Sequence, residues 1–308
     1  MIEVKDLTKK YGELVAVDNI SFEVKKGEVV GFLGPNAAGK TTTLRVITGF
    51  LPPTEGTAVV AGYDVRENPI EVKEKIGYLP EENPLYDEFE VVEFLEFIGR
   101  ARQIKDLRKR IKEAIEICKL EDVVGKLIGH LSRGYRQRVG LAQAILHDPE
   151  IIIADEPTTG LDPIQQSEIR NLIKGLKERG KTILISTHIL PEVQAMCERV
   201  IIIHKGKIVA DAPINEIGSL KKGYDVLNVV MKGDEKEIKE GLSNIEGVIN
   251  IEDKGRSNGC FAFQLQVKPD IDVREKIFDM AVQRNLKLIE LHRESLSLED
   301  VFKELTKE

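Results

Sequence analysis

The stretch Gly34-Pro35-Asn36-Ala37-Ala38-Gly39-Lys40-Thr41-Thr42 decides the fold. It follows an apolar run, Val29-Val30-Gly31-Phe32-Leu33, that reads as a buried strand. It precedes Leu44-Arg45-Val46-Ile47, which reads as the first turns of a helix. A strand, a glycine-bounded loop, Gly-Lys-Thr and a helix together form the setting of a phosphate-binding P-loop. The reason is electrostatic. A helix start leaves backbone N–H groups unpaired and carries a partial positive charge. The loop wraps those donors around phosphate oxygens as an anion nest. Lys40 adds a full charge for β- and γ-phosphates, and the Thr41 hydroxyl stands where it can ligate Mg²⁺. The stretch therefore implies a nucleoside triphosphate site in an α/β sheet, and leaves open what the nucleotide is used for.

Composition narrows the classes. The 308 residues are enough for two domains, and 42% apolar with 31% charged residues is the balance of a soluble globular protein. A net charge of −7 argues against nucleic acid as a partner. No run approaches the ~18 apolar residues of a membrane span. The start, Met1-Ile2-Glu3-Val4-Lys5, lacks the basic-then-apolar layout of a signal peptide. Cys118, Cys197 and Cys260 show no metal or redox spacing and are expected as buried thiols in a reducing compartment.

Around the P-loop, strands and helices alternate. Ile2, Val4 and Leu7, then Ile20, Phe22 and Val24, are spaced for two strands. Tyr11 lies in their connection, where its ring could stack on a purine or simply pack at a strand end. A strand over 76–79 stops at Pro80 and leaves Glu81 at its end, either near a metal-bound phosphate or as a solvated loop acid. From 91 to 147 the pattern turns helical, marked by Val92, Leu95, Phe97 and Ile98, by Ile111, Ile115 and Cys118, and by Val139, Ala142, Ile145 and Leu146. Before the third of these helices stands Leu131-Ser132-Arg133-Gly134-Tyr135-Arg136-Gln137. Ser132 suits an N-cap and Gly134 permits close approach to backbone, so this is either a second anion-ready helix start or an ordinary capped helix.

Ile151-Ile152-Ile153-Ala154-Asp155-Glu156 is a buried strand ending in two acids. Carboxylates at the carboxyl end of an α/β strand sit in the crevice where such sheets bind ligands. Asp155 can hold Mg²⁺ and Glu156 can polarise an attacking water. Asp162-Pro163 starts a helix running to 178, a core strand covers 181–186, and His188 follows at the same sheet edge as a candidate γ-phosphate contact. A strand pair around Lys205-Gly206 and a closing helix over 214–220 complete this part. From about 222 the order β-α-β-β-α-β fits a ferredoxin-like sandwich, with a further helix over 298–305.

Taken together, residues 1–220 resemble the nucleotide-binding subunit of an ATP-binding cassette (ABC) transporter. The resemblance implies a RecA-like P-loop NTPase core with an N-terminal antiparallel β subdomain and a helical subdomain at about 84–148, followed by an accessory domain at 222–308. It makes Tyr11 the adenine-stacking aromatic, 34–42 the Walker A loop, 151–156 the Walker B strand with Glu156 catalytic, 131–137 the signature, Asp162 the D-loop acid and His188 the switch histidine. Three departures stand out. Ala37 replaces a usual glycine, Arg133 and Tyr135 replace the signature's Gly and Gln, and Glu81 stands where the Q-loop glutamine belongs. Tyr-Leu-Pro-Glu with Leu-Ser-x-Gly-Tyr-Arg-Gln is similar to ATPases of the ABC-2 export type. The resemblance implies ATP and Mg²⁺ as cofactors. It also implies a head-to-tail dimer, with a second copy of this chain or a homologue, in which Ser132 and Gly134 serve the partner's nucleotide. A separate membrane permease would hold the subunit on the inner face of the cell membrane. The rivals are a soluble ABC ATPase acting on ribosomes or DNA, disfavoured by the acidic charge and the single cassette, and a P-loop kinase or GTPase, which needs neither the signature nor His188.

Overall fold

The computed structural model describes residues 1–217, 224–257, 259–268, 271–294 and 302. Two compact units divide the chain, Met1–Ile214 and Asn215–Lys307.

In the first unit the elements are β1 (Ile2–Tyr11), β2 (Leu14–Val24), β3 (Val29–Leu33), α1 (Lys40–Ile47), β4 (Glu55–Val60), β5 (Tyr63–Asp64), α2 (Pro69–Lys75), β6 (Ile76–Leu79), α3 (Val91–Ala101), α4 (Leu107–Cys118), α5 (Arg133–Ile145), β7 (Ile151–Asp155), α6 (Pro163–Glu178), β8 (Thr182–Thr187), α7 (Leu190–Met196), β9 (Arg199–His204) and β10 (Lys207–Pro213). An antiparallel sheet of order β2-β1-β4-β5 accompanies a six-stranded sheet of order β10-β9-β3-β8-β7-β6. The larger sheet is parallel apart from β10, with Gly31 opposite Ile185 and Ala154 also opposite Ile185.

Both faces of the large sheet are covered, so every residue of β3, β7 and β8 is buried, and their near-continuous apolar sequences follow from that. One core joins Phe32, Leu44 and Ile201 to the small sheet's Ile2 and Ile20; the other joins Ile152 and Ile185 to Phe94, Leu141 and Ile173. α6 shows how sequence sets a helix. Asp162 caps it by accepting from Gln165 N at 2.9 Å, and Pro163 opens it. Its buried stripe, Ile169, Leu172, Ile173 and Leu176, then follows the helical period.

Some expectations needed adjustment. Phe97 does not face the core of α3; it is 45% exposed, and Val91, Phe94 and Leu95 are buried instead. Tyr11 is the last residue of β1, paired with Leu14, rather than part of the connection. Residues 214–216 form a turn where a helix was expected, and 218–220 lie outside the described residues. Cys118 is fully buried, but Cys197 and Cys260 are only partly so. The two-residue β5 and the short α7 carry too little periodicity to be read from sequence.

The second unit runs β11 (Asp225–Lys232), α8 (Glu235–Ser243), β12 (Val248–Ser257), β13 (Cys260–Val267), α9 (Arg274–Gln283) and β14 (Lys287–Glu294), with an antiparallel sheet of order β12-β13-β11-β14. Alternate residues Leu227, Val229 and Met231 of β11, with Phe261, Phe263 and Leu265 of β13, pack against Ile238 and Leu242 of α8 and Ile277 of α9. β12 runs on through 254–257, with Arg256 opposite Phe261. The helix expected over 298–305 lies outside the described residues, apart from Phe302.

Candidate nucleotide site

β3, β8 and β7 are neighbours, and their carboxyl ends deliver the P-loop, His188 and Glu156 to one edge of the sheet. Two P-loop glycines are required by space. A Cβ on Gly34 would lie 2.4 Å from the Ile203 carbonyl oxygen; one on Gly39, whose φ is +106°, would lie 2.6 Å from that of Ala16. Gly39 offers α1 no side-chain cap, so the first N–H groups of the helix open onto the loop. Ala37 adopts φ +62°, the left-handed conformation that a glycine takes without strain.

Lys40 Nζ donates to the carbonyl oxygens of Gly34 at 2.8 Å and Pro35 at 3.1 Å, and lies 3.3 Å from Glu156 Oε1. The other Glu156 oxygen accepts from the Thr159 hydroxyl at 3.0 Å and lies 2.9 Å from His188 Nδ1. An ionised carboxylate only accepts, so this contact places a proton on Nδ1. Glu156 itself sits at φ +48°, with its N–H bonded to the Ser186 carbonyl and hydroxyl oxygens, both at 3.1 Å.

Asp155 is fully buried. The Ser186 hydroxyl donates to its Oδ1, while Oδ2 is a buried oxygen with no hydrogen-bond partner. Burial pushes this carboxyl above the usual carboxylate range, opposed by the Ser186 and Thr41 hydroxyls. An orphaned anionic oxygen facing a P-loop threonine suits a hard divalent cation that takes its other ligands from phosphate and water.

A pocket of about 850 Å³ gathers Tyr11, Asn36, Ala37, Gly39, Lys40, Thr41, Thr42, Glu81, Glu156 and His188. Gly34, Pro35, Ala38 and Asp155 are not among its lining residues. Tyr11 is half exposed, with Lys9 Nζ 5.4 Å from its ring centroid. Ser132, Gly134 and Asp162 are not part of this pocket's lining. They form a second group of their own. Ser132 caps α5, a Cβ on Gly134 would meet Gln165 of α6 at 2.9 Å, and one on Gly160 would meet the Arg133 guanidinium at 2.5 Å. The segment between Glu81 and α3 is tied to this second group, Asn83 donating to Gln137 at 2.7 Å and Arg136 to Asp87 at 2.6 Å. The sequence reading gave no role to Ser186 or Thr159. Their signal was present as hydroxyl residues near two strand ends, Ser186 within β8 and Thr159 in the segment after β7.

A protein-family model described as ABC transporter matches residues 17–159. The ABC transporter ATP-binding protein NatA of Bacillus subtilis (strain 168) is 38% identical over 238 residues, covering 75% of this chain and 97% of that protein. This chain belongs to the ABC transporter ATP-binding protein family. The bacitracin transport ATP-binding protein BcrA of Bacillus licheniformis is 40% identical, covering 73% of each chain. The linearmycin resistance ATP-binding protein LnrL of Bacillus subtilis (strain 168) is 31% identical over 99% of this chain and 98% of its own length. Among solved structures, an ATP-binding subunit of an ABC transporter superposes with a TM-score of 0.65 at 31% identity, over 71% of this chain and 92% of that one. A dimeric ABC cassette in a post-hydrolysis state with ADP and phosphate matches with a TM-score of 0.62 at 29% identity, over 69% of this chain and 98% of that one. As a member of this family, the chain is an ATP-binding, ATP-hydrolysing transport subunit. Among the described residues, no helix is long and apolar enough to cross a membrane.

Proposed function

We propose that this ABC subunit drives export through a separate membrane permease, closing as a head-to-tail dimer on ATP and opening after hydrolysis. The observation that carries the reading is the separation of its two phosphate-type helix starts. The α1 start shares a pocket with Glu156 and His188, whereas the α5 start, with Ser132 and Gly134, does not. A nucleotide held only by the first would leave the second unused, and a symmetric partner supplies the missing half. Relatives named for bacitracin transport and linearmycin resistance support the direction of transport.

In this reading the adenine stacks on Tyr11, and the loop 34–42 with Lys40 cradles the phosphates. Thr41 and Asp155 would hold Mg²⁺, with Glu81 in the same pocket as Thr41. Bound Mg²⁺ neutralises charge on the transferred phosphoryl group. Glu156 orients and polarises the attacking water, and His188 holds the γ-phosphate while fixing Glu156 through Nδ1. Phosphate oxygens compete with Glu156 for Lys40, so nucleotide entry frees Oε1 for the water. Loss of the γ-phosphate removes the bridge between subunits, and the interface reopens. The subunit would sit peripherally on the inner membrane face through its permease.

The second unit's β-α-β-β-α-β order and its sheet order support a ferredoxin-like accessory domain acting in dimer contact or regulation. The test combines light scattering with co-purification. Glu156→Gln should form an ATP-stabilised dimer with little turnover, and the wild-type chain should recover a multi-span membrane protein from solubilised membranes. A Glu156→Gln chain that stays monomeric with saturating ATP would end the dimer reading.

A further inference from the structure

β7 and β8 end in the two segments that carry Glu156 and His188, and between those segments lies a third carboxylate. Glu192, in the first turn of α7, is 1% exposed. The Thr158 hydroxyl donates to its Oε1, and the Thr187 hydroxyl to its Oε2 at 2.9 Å. Thr158 and Thr187 are themselves fully buried, and Thr187 also accepts from Ile189 N at 3.0 Å. Among the described residues, no lysine, arginine or histidine forms an ion pair with Glu192. A buried carboxylate held only by hydroxyls is a costly way to fill space, and an apolar side chain would pack there without the desolvation penalty.

Its partners give it a use. Thr158 precedes Thr159, and Thr187 precedes His188; Thr159 and His188 are the two side chains that hold Glu156 Oε2. We infer that Glu192 is a positioning residue for hydrolysis: it staples the segment after β7 to the segment after β8, and so fixes Thr159 and His188 around the Glu156 carboxylate. The two threonines are the arms of the staple, and Glu192 touches neither nucleotide nor water. Misplacing a catalytic group by a fraction of an ångström costs rate with little loss of binding, because the P-loop and Lys40 supply most of the phosphate contacts. The inference rests on the reading of Glu156 and His188 as the hydrolytic pair.

The full-length chain with Glu192→Gln, Thr158→Val or Thr187→Val tests it. Glutamine keeps the volume of Glu192 but offers one acceptor oxygen instead of two. Steady-state hydrolysis of Mg-ATP, binding of a fluorescent ATP analogue and thermal unfolding are measured together, with Glu156→Gln in parallel. Glu192→Gln should lower kcat roughly 10- to 100-fold while KM and analogue affinity stay within about a factor of two. Each valine variant should lose part of that rate, and Thr158→Val added to Glu192→Gln should lose little more. Folded Glu192→Gln protein with wild-type kcat, or with raised KM alone, overturns the inference. If Glu192→Gln does not fold, Thr187→Val decides on the same criteria. Turnover retained in Glu156→Gln would sink the hydrolytic reading itself; turnover lost there but kept in Glu192→Gln and Thr187→Val would sink only the staple.

Discussion

Lys40 Nζ and Glu156 Oε1 lie 3.3 Å apart, with both side chains almost completely buried. The P-loop cation and the strand-end acid are thus each other's counter-ion across the floor of the pocket. The pair is not isolated, since Lys40 also donates to two carbonyl oxygens and Glu156 also meets Thr159 and His188. Such a network holds the site in shape, yet each member has a second task that nucleotide phosphates would release.

Glu156→Gln separates these roles. Hydrolysis should fall about 100-fold or more, as expected when a general base is lost. Without nucleotide, the variant should also unfold about 1–3 kcal/mol more easily, because Lys40 loses its buried counter-ion but keeps its two carbonyl acceptors. Urea unfolding of nucleotide-free protein measures the second effect independently of the first.

Ala37 holds φ +62° in the P-loop. Alanine is strained there, whereas glycine is not, although glycine also loosens the unfolded chain. The difference should leave Ala37→Gly more stable by about 0.5–1 kcal/mol, read as a higher denaturant midpoint at unchanged slope.

Sequence made the sheet and its ligand edge legible because strands covered on both faces are apolar along most of their length. Val29-Val30-Gly31-Phe32-Leu33 and Ile151-Ile152-Ile153 admit no amphipathic reading. The acids after the second run then had only one place to lie. What sequence could not supply was contact between distant segments. Nothing about Ser186 or Glu192 alone says that one will bind Asp155 or that the other will bridge Thr158 and Thr187; the first pairing follows from parallel register between β7 and β8, and the second from how the segments after those strands meet α7. Phe97, read from the apolar period of α3 as part of its face, lies one residue out of phase with the stripe that the helix buries.

His147 adds a pH dependence to folding. Its Nε2 lies 3.1 Å from the Ile76 carbonyl oxygen, and burial, with the Arg102 guanidinium beside it, lowers its pKa from 6.5 to about 4. The unfolded chain therefore binds a proton that the folded chain refuses. Stability is fully present above pH 6.5 and is lost as pH falls towards 4. His147→Gln removes this linkage. Between pH 7 and pH 5, wild-type stability should fall by about 2 kcal/mol more than that of the variant in urea unfolding.

Asp155 supplies the complementary case, a group kept at a cost to the fold. Its Oδ2 is buried without a partner, and burial raises the carboxyl's pKa, so the charged form is disfavoured in the folded state. Removing the charge should therefore do little harm to folding. Asp155→Asn should unfold within about 1 kcal/mol of wild type, since a buried charge without a counter-ion adds little stability. Function should respond in the opposite way. If Oδ2 exists to hold a divalent cation beside Thr41, Asp155→Asn should need at least roughly 10-fold more Mg²⁺ for half-maximal hydrolysis. ATP binding measured in chelator should be unchanged, because the P-loop donors and Lys40 remain. A variant that unfolds readily yet shows a normal Mg²⁺ titration would assign Asp155 to the fold and not to the metal.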